Sequence, residues 1–473
     1  MSTTALRDQG YSMSKVWRLA LNASWGSFIF GYNIGVFTSS QPNVSATLGW
    51  GSQKDLFVTM MSSFVPLGAM FGALSSSYIA KKYGRRKSLM LIDLLTFIGA
   101  GIIVVPFTAT FAIGRLVNGF CAGSFACLVP LYLNETAPLE VSGKVGGIVQ
   151  FQVTFGIVVS YALALILPTG SYNSDPLNYI WIGLFAFQAL FALIQLLVFT
   201  ISIRNETPPW LIEKGKYDEA LNSLKDVYDE ATAVKILRKL EDNNKKSLVE
   251  MGVDSTKRGD EEPSYSEILL CKNNLGKMIR LGCLINFFQQ FSGINAILTY
   301  STAIFANIGG GLFLSRVFTL IVGIVNMAST LAVFPLIEKA GRKKLIMIGG
   351  IGMTICLFCM GFFSSVFQAA GPAPPIIFIM LFIVFFEGSL GPVCWIYCGE
   401  ILPARAMSVC IFVNWFSAFI VILTFNIIVS AITMSGAFFL YAGLNLLGTI
   451  YFCLDMVETK GLDKEEIRKI MTK

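Results

Sequence analysis

Amide, carboxyl and indole side chains interrupt several long apolar stretches of this 473-residue chain. The group consists of Gln150, Asn286, Gln289, Gln290, Asn295, Asn326, Glu387, Trp395, Asn414 and Trp415. Amides both donate and accept hydrogen bonds, which suits a neutral solute with many hydroxyl groups. An indole ring packs against the C–H face of a sugar, and its N–H is a donor. No Lys or Arg lies near the group, which argues against an anion such as phosphate.

Each of these polar residues also has an ordinary structural interpretation. A single one, inside an apolar stretch, is commonly a hydrogen bond between two packed helices. Asp93, in another apolar stretch, is expected to be a buried hydrogen-bond acceptor of this kind. Because several neutral polar groups occur together at one predicted depth, we favour a binding site for the group as a whole.

Enzymatic and metal chemistry find little support in the composition. The chain has no His, which removes the commonest general base and metal ligand. Its 10 Cys lie mostly inside apolar stretches and are expected to be packing residues. We see no nucleophile and base pair, and we therefore expect neither an enzyme nor a bound metal or other cofactor.

The composition is that of a membrane protein. Hydrophobic residues make up 54% of the chain and charged residues 14%, whereas a soluble protein has about 25% charged residues. Stretches of about 20 apolar residues span a bilayer. We count twelve: 16–38, 57–80, 88–107, 111–133, 145–167, 178–203, 278–305, 312–336, 345–367, 374–399, 406–430 and 434–455. The prediction is an all-α membrane protein with twelve transmembrane helices in two halves.

Lys and Arg are concentrated in alternate loops, which places both termini in the cytoplasm by the positive-inside rule. Their clustering in a few loops also argues against nucleic acid as the partner of a chain with net charge +7. The N-terminus lacks a cleavable signal pattern, so the first span is expected to be an uncleaved anchor. The predicted parts are a cytoplasmic N-terminus, a six-helix half, a cytoplasmic loop with amphipathic helices, a second six-helix half and a cytoplasmic tail, at 1–15, 16–203, 204–277, 278–455 and 456–473.

The two predicted halves repeat each other. Tyr132-x-x-Glu135-x-x-Pro138 returns as Tyr397-x-x-Glu400-x-x-Pro403, and Gly84-Arg85 returns as Gly341-Arg342. A membrane protein built from two parallel six-helix halves has its substrate site between them, near the middle of the bilayer. The repeat therefore predicts the location of the polar group independently of its chemistry.

Several motifs make the chain similar to one known family. They are Phe30-Gly-Tyr-Asn33, Gly84-Arg-Arg86, Gly114-Arg115, Glu206-Thr-Pro-Pro-Trp210, Gln289-Gln290-Phe-Ser-Gly-Ile-Asn295, Gly341-Arg342-Lys343 and Glu458-Thr-Lys-Gly461. Together they resemble the sugar porter family of the major facilitator superfamily, and within it the facilitative glucose and hexose transporters. The resemblance extends from about residue 24 to residue 470.

The resemblance implies roles for individual residues. The substrate-binding positions that it implies are Gln150, Gln289, Gln290, Asn295, Asn326, Glu387, Trp395 and Trp415. The positions of a cytoplasmic salt-bridge network that it implies are Arg86, Glu135, Glu206, Glu338, Arg342, Glu400 and Arg405. We expect the network to join the two halves at their cytoplasmic ends in the outward-facing state, since each half contributes both signs of charge.

Two positions bear on energy coupling. Asn33 stands where proton-coupled relatives have Asp, and Arg115 lies within reach of it by the same resemblance. Because an amide does not titrate, Asn33 favours a uniporter over a symporter. Lys81, Ser142 and Val457 depart from the family's loop signatures, which makes a differently wired cytoplasmic gate an expectation.

The function that these features predict is facilitated diffusion of a hexose, with glucose the first candidate, by alternating access. One alternative is a proton-coupled sugar or polyol symporter, with Asp93 or Glu387 as the titratable group. Another is a sugar sensor without transport activity, or a structural subunit of a larger membrane complex. The expected partners are a small neutral sugar and the lipid bilayer of the plasma membrane. Oligomeric state stays open, as does glycosylation at the sequon Asn43-Val44-Ser45.

Overall fold

The computed structural model of the chain is built almost wholly from α-helices. It describes residues 10–170, 179–251, 276–308, 311–365, 373–402, 404–462 and 464–471. The first half and the segment after it contain α1 (Met13–Ala23), α2 (Trp25–Thr47), α3 (Lys54–Tyr83), α4 (Arg85–Val104), α5 (Thr108–Thr136), α6 (Ser142–Leu163), α7 (Ile180–Ile201), α8 (Pro208–Glu213), α9 (Tyr217–Lys225) and α10 (Glu230–Met251). The second half contains α11 (Gly276–Phe291), α12 (Ile294–Ile308), α13 (Gly311–Ala340), α14 (Arg342–Ser365), α15 (Ala373–Glu387), α16 (Leu390–Ile401), α17 (Ala404–Asp455) and α18 (Lys464–Met471).

Twelve helical passes account for the membrane-spanning part. Within the described residues, 10 helical segments are long and apolar enough to cross a bilayer. One of them, Ala406–Asp455, holds two predicted spans that are separated by non-helical backbone at Ile432 and Thr433. The first predicted span, 16–38, is divided between α1 and α2 at Ser24, and the pass itself is α2, which runs from Trp25 to Thr47 and contains many small polar residues. The prediction of a twelve-helix all-α membrane fold is confirmed.

The outside of the helical bundle is apolar. Large hydrophobic side chains such as Phe97, Phe358 and Leu454 are exposed, while many Asn, Gln, Ser and Thr side chains are buried. This arrangement reverses the usual preference of soluble proteins and matches a bundle surrounded by lipid. Helices suit that environment because they satisfy their own backbone hydrogen bonds.

Glycine allows neighbouring helices to pack in backbone contact. A Cβ atom added at Gly68 on α3 would lie 2.2 Å from the carbonyl oxygen of Leu116 on α5. A Cβ added at Gly156 on α6 would lie 2.2 Å from the carbonyl oxygen of Phe28 on α2. Small residues at such crossings are a usual means of packing membrane helices.

The two halves meet along three helix pairs, α3 with α17, α6 with α13 and α2 with α12. We call the end of the bundle where α2 ends and α3 begins the far end. We call the opposite end, which carries Arg85 and Arg342, the basic end. These two names make no assumption about which end faces the cytoplasm.

Hydrogen bonds join the halves at the far end. The Tyr161 hydroxyl donates to the carbonyl of Leu298 at 3.0 Å, and the Gln41 amide donates to the carbonyl of Thr299 at 3.1 Å. Both bonds run from the first half to α12 of the second. The far end of the bundle is therefore closed in this conformation.

The helices α8–α10 lie against the basic end of the first half. The indole N–H of Trp210 on α8 donates to the carbonyl of Lys81 at 3.1 Å. The N-terminal segment reaches the same region, where the N–H of Ser12 donates to the carbonyl of Val227 at 2.9 Å. The contacts described for α8–α10 thus tie this segment to the first half.

Candidate functional site

The polar group predicted from the sequence lies where two helical rods of the second half are interrupted. The first rod breaks between α11 and α12 at Gly293, whose φ of 89° is accessible mainly to glycine. The second breaks between α15 and α16, at residues 388–389. Backbone groups released by such breaks and the side chains beside them can face a ligand.

Gln289, on the last turn of α11, bridges to the second broken rod. Its amide nitrogen donates to the carbonyl oxygens of Leu390 and Gly391, each at 3.0 Å. Its amide oxygen accepts a hydrogen bond from Asn414 at 2.6 Å. Gln289 is therefore fully used by the protein in this conformation, and a ligand would have to exchange for one of these bonds.

Asn414 on α17 is the centre of the amide network. Besides its bond to Gln289, its amide oxygen accepts a hydrogen bond from Gln290 at 2.9 Å. Gln290 in turn accepts one from Asn295, on the first turn of α12. Asn414 belongs to the group noted in the sequence, but its central position was not predicted, because sequence does not show which amide lies between the other two.

Glu387 contributes the only carboxylate of the predicted group. It is 2% exposed, and it accepts a hydrogen bond from the Thr330 hydroxyl at 3.0 Å. The amides of Asn326 on α13 and Gln150 on α6 lie near it. Gln150 belongs to the first half, so the polar group spans the interface between the halves.

The two indoles lie beside the amides in one apolar cluster with Phe30 of α2. The rings of Trp415 and Phe30 meet edge to face at a centroid distance of 5.4 Å, which again joins the two halves. Trp415 is 6% exposed, and its N–H has no hydrogen-bond partner among the residues that the structure describes. The same holds for the side-chain oxygen of Asn326.

Each half has a cluster of charged side chains at the basic end, and the two clusters have the same geometry. Arg85 pairs with Glu135 at 2.6 Å, and the Thr207 hydroxyl donates to the other oxygen of that carboxylate at 2.6 Å. In the second half, Arg342 pairs with Glu400 at 2.7 Å, and Thr459 donates to its other oxygen at 2.5 Å. The sequence repeat is thus a repeat of side-chain contacts.

The described pairs, Arg85–Glu135 and Arg342–Glu400, lie within each half. The pairs that we expect between the halves belong to the state in which the basic end is closed, whereas the far end is closed in this conformation. The partner of Glu135 is Arg85 rather than Arg86, whose side chain instead donates to the carbonyls of Phe199 and Ile203. Adjacent residues on a helix point about 100° apart, so only one of two consecutive arginines can face α5.

Glu206 and Glu458 cap the N-termini of α4 and α14. Glu206 accepts hydrogen bonds from the backbone N–H groups of Arg86 and Lys87 at 2.9 and 2.8 Å. Glu458 accepts them from Arg342 and Lys343 at 2.8 and 3.1 Å. A carboxylate at this position satisfies free N–H groups and complements the helix dipole.

The hydrogen bonds to Glu458 shift the pKa of its carboxyl group. Partial burial raises the pKa of this carboxyl, but hydrogen bonds from four backbone N–H groups outweigh burial and leave the pKa below its usual value. The ionised form is therefore favoured in the folded protein. The side chains of Glu338 and Arg405, also assigned to the network, lie outside the described residues.

Asn33 and Arg115 are adjacent, as the resemblance implied. The guanidinium of Arg115 donates to the backbone carbonyl of Asn33 at 3.2 Å and to that of Met61 at 3.2 Å. The Asn33 amide donates to the side chain of Gln188 at 2.6 Å. Both residues are buried, and the partners of these hydrogen bonds all belong to the first half.

Asp93 lies inside the first half, on α4. It is 1% exposed, and neither of its carboxyl oxygens has a hydrogen-bond partner among the described residues. Its burial was expected, but the hydrogen bond that it was expected to accept is not present among the described residues.

Comparison with known proteins gives a consistent family assignment. The sequence profile "Sugar (and other) transporter" matches residues 19–471. The glucose transporter GlcP of Staphylococcus epidermidis is 31% identical over 93% of this chain and 94% of its own. The major myo-inositol transporter IolT of Bacillus subtilis is 28% identical over 98% and 96%. The D-xylose-proton symporter of Escherichia coli is 26% identical over 97% and 96%.

Solved structures agree on the fold. A structure of the major facilitator superfamily proton:xylose symporter XylE, bound to 6-bromo-6-deoxy-D-glucose, aligns with a TM-score of 0.80, with 23% identity over 98% of this chain and 100% of that one. The partially occluded inward-open form of XylE from E. coli also reaches 0.80, with 24% identity over 95% and 99%. Given this fold and the match over nearly its whole length, the chain belongs to the sugar porter family of the major facilitator superfamily.

Proposed function

We propose that this chain is a facilitative hexose transporter, with glucose as the first candidate substrate, and that it works by alternating access. The observation that carries the proposal is the neutral amide network around Asn414, next to an indole N–H and an Asn326 oxygen that the described residues leave unpaired. Donors and acceptors of this kind match sugar hydroxyls. Binding energy in such a carrier only selects between conformations and makes no covalent change in the sugar.

The substrate site that we propose consists of the residues assigned in the sequence, with Asn414 added. Both halves contribute to this site. Gln150 lies on α6 of the first half, and Trp415 of the second half contacts Phe30 on α2 of the first. A sugar bound there would contact both halves at once. It could thus stabilise conformations in which the halves are close around it.

Uniport is the favoured mode because the group at position 33 is an amide. Its nitrogen is held by Gln188 and by the carbonyl of Ile29 at 3.0 Å. Neither partner nor Asn33 itself exchanges a proton in the physiological range. The neighbouring Arg115 is bound to backbone carbonyls and does not require a carboxylate on α2.

Proton-coupled symport is the second candidate, and Glu387 is the observation in its favour. This carboxyl lies in the proposed substrate site, where protonation and sugar binding could influence each other. The relative from E. coli that is named a D-xylose-proton symporter shows that coupling occurs among similar chains. Asp93 is the other candidate, although it lies inside the first half.

We further propose that the basic end faces the cytoplasm, as the positive-inside rule predicts for its Lys and Arg. Both termini would then be cytoplasmic, and the far end would face outward from the plasma membrane. The described conformation, with its far end closed, would then be one in which sugar enters or leaves on the cytoplasmic side.

The test is sugar uptake by the pure protein in sealed liposomes. Radiolabelled glucose is supplied outside with and without an acid exterior, and internal sugar is followed to steady state. A uniporter equilibrates glucose and never accumulates it. Accumulation that a protonophore abolishes would replace uniport by symport, and absence of uptake of any hexose or polyol would refute the transport proposal.

A further inference from the structure

Arg316 crosses from the second half to the first at the far end of the bundle. It lies near the start of α13 and is fully buried, at 0% exposure. Its Nε donates to the carbonyl of Ser39 at 3.0 Å, and its Nη1 donates to the carbonyl of Leu167 at 2.7 Å. Its Nη2 donates to the side-chain oxygen of Asn43 at 2.5 Å. All three acceptors belong to the first half.

The planar fork of arginine makes this arrangement specific. Its N–H groups point in fixed directions, so three acceptors must be placed together for all of these bonds to form. Here two acceptors come from α2 and one from the segment that follows α6. One side chain thus fixes two elements of the first half against α13.

Asn43 is held in place for this contact by a second hydrogen bond. It is 0% exposed, and its amide nitrogen donates to the carbonyl of Pro168 at 3.1 Å while its oxygen receives Arg316. Both ends of the amide are therefore occupied. The amide of the sequon residue is thus buried and hydrogen-bonded in this conformation.

The charge of Arg316 separates it from the other far-end bonds described above. Those of Tyr161 and Gln41 have neutral donors, and hydrogen bonds with a charged donor are roughly twice as strong. A buried cation also loses its hydration, so separating it from its acceptors before water arrives is costly. Separation of the halves at the far end has to break this contact.

We propose that Arg316 is the positioning residue that keeps the far end closed, and that its release is a required step in opening the far end to the sugar. This inference rests on the alternating-access part of the proposed function. It concerns the balance between conformations, since Arg316 lies outside the polar group assigned to sugar binding.

The test measures the opening directly, without sugar transport. Spin labels are placed at Leu56 on α3 and Phe313 on α13, both exposed at the far end, in a variant whose native Cys are replaced. Distances between the labels are recorded by pulsed electron paramagnetic resonance. In Arg316→Met, which keeps much of the side-chain bulk, we expect the ratio of separated to close far ends to rise on the order of tenfold or more.

Two matched variants sharpen the result. Arg280→Met removes another Arg of the second half, one that pairs with Asp455 at 2.8 Å at the basic end, and should leave the far-end distances unchanged. Arg316→Lys keeps the charge but loses the fork, and should raise the separated fraction less than Met does. If Arg316→Lys has the same separated fraction as the parent, the fork has no role. If Arg316→Met has the same separated fraction as the parent, the proposal is wrong.

A second label pair distinguishes this inference from the proposed function. Tyr78 on α3 and Ile348 on α14 are exposed near the basic end, and the distance between labels placed there reports on that end. A protein that alternates without using Arg316 would show two far-end populations in equal ratio in parent and Arg316→Met. A protein that does not alternate would show one distance at each end in every variant, with or without glucose, and would refute both ideas.

Discussion

Three buried hydrogen-bonding atoms of the polar group have no partner among the described residues: the N–H of Trp415 and the side-chain oxygens of Asn286 and Asn326. Buried polar atoms of this kind are normally paired, so these atoms are the natural contacts for a hydroxylated ligand. Gln289, by contrast, already makes three bonds of its own. Replacing Gln289 would therefore disturb the protein as well as the sugar contact, and Trp415 is the cleaner residue to test.

Trp415→Phe removes the indole N–H and keeps an aromatic ring. Loss of one neutral hydrogen bond should weaken sugar binding by about 0.5–1.5 kcal/mol, or about two- to twelvefold in affinity. Equilibrium binding of glucose to the detergent-solubilised protein measures this. Trp25→Phe is the control, because Trp25 packs against Phe28 and Phe191 inside the first half. Equal affinity in Trp415→Phe and parent would remove the N–H from the site.

Asn33→Asp tests the coupling position. The new carboxylate would lie beside Arg115, whose guanidinium already bonds to the backbone of residue 33. We expect glucose uptake to become dependent on pH, because the protonated and ionised forms of the Asp interact differently with that cation. Accumulation should still be absent, since coupling also needs a linked conformational preference.

The measurement for Asn33→Asp is initial uptake between about pH 5 and pH 8 with equal pH on both sides of the membrane. Asn33→Gln keeps a neutral amide and should have the flat profile of the parent. A flat profile in Asn33→Asp as well would show that position 33 does not influence the transport cycle.

The helix starts at the basic end explain the repeated Gly-Arg motif. Gly84 and Gly341 have φ values of 94° and 86°, and each precedes a helix whose N-terminus is capped by a glutamate. A Cβ atom would lie 2.5 Å from the Glu206 carboxyl carbon at the first site and 2.6 Å from a Glu458 oxygen at the second. Glycine is needed both for the backbone conformation and for the close approach of the cap.

Gly341→Ala should therefore destabilise the protein, by about 1–2 kcal/mol from the backbone strain alone. Thermal unfolding in detergent, followed by circular dichroism, measures the change. Gly399→Ala is the matched control, because Gly399 lies within α16 and an added Cβ would meet nothing within 4 Å. It should be neutral or slightly stabilising. The opposite order of the two variants would contradict this account of the motif.

The helices themselves were predictable from the sequence, but their contacts were less so. Apolar length located most of the spans, because every helix has to cross the same bilayer. It misplaced the first one, where the apolar stretch 16–38 is divided between α1 and α2. The choice between Arg85 and Arg86 depends on the rotation of α4 about its axis, which the pair of adjacent arginines leaves open. The place of Asn414 between Gln289 and Gln290 depends on how α17 packs against α11, a contact between residues more than 120 positions apart.

For the whole molecule, the repeat has a functional consequence. The pairs Arg85–Glu135 and Arg342–Glu400, with their threonines, give each half the same lock at its basic end. Since each lock lies within a half, it keeps that half rigid. The halves can then move as units while their far ends are joined or separated.

Glu135→Gln and Glu400→Gln test this equivalence. Each change removes the charge of one lock, and we expect each to loosen the half that holds it and to lower the midpoint of thermal unfolding. The two losses should be similar, because the two locks have the same contacts. Thermal unfolding in detergent, followed by circular dichroism, measures the loss. A midpoint equal to that of the parent in both variants would show that the locks do not stabilise the halves.

The docking of the N-terminal segment on the turn between α9 and α10 has a consequence for how the chain can be assembled. Backbone hydrogen bonds run from the N–H of Ser12 to the carbonyl of Val227 and from the N–H of Asp229 to the carbonyl of Gly10, both at 2.9 Å. They add to the hydrogen bond between α8 and the end of α3. The central helices therefore belong with the first half as a folding unit. Two separately expressed fragments, 1–251 and 276–473, should thus complement each other into one carrier, in which α8–α10 purify with the first fragment.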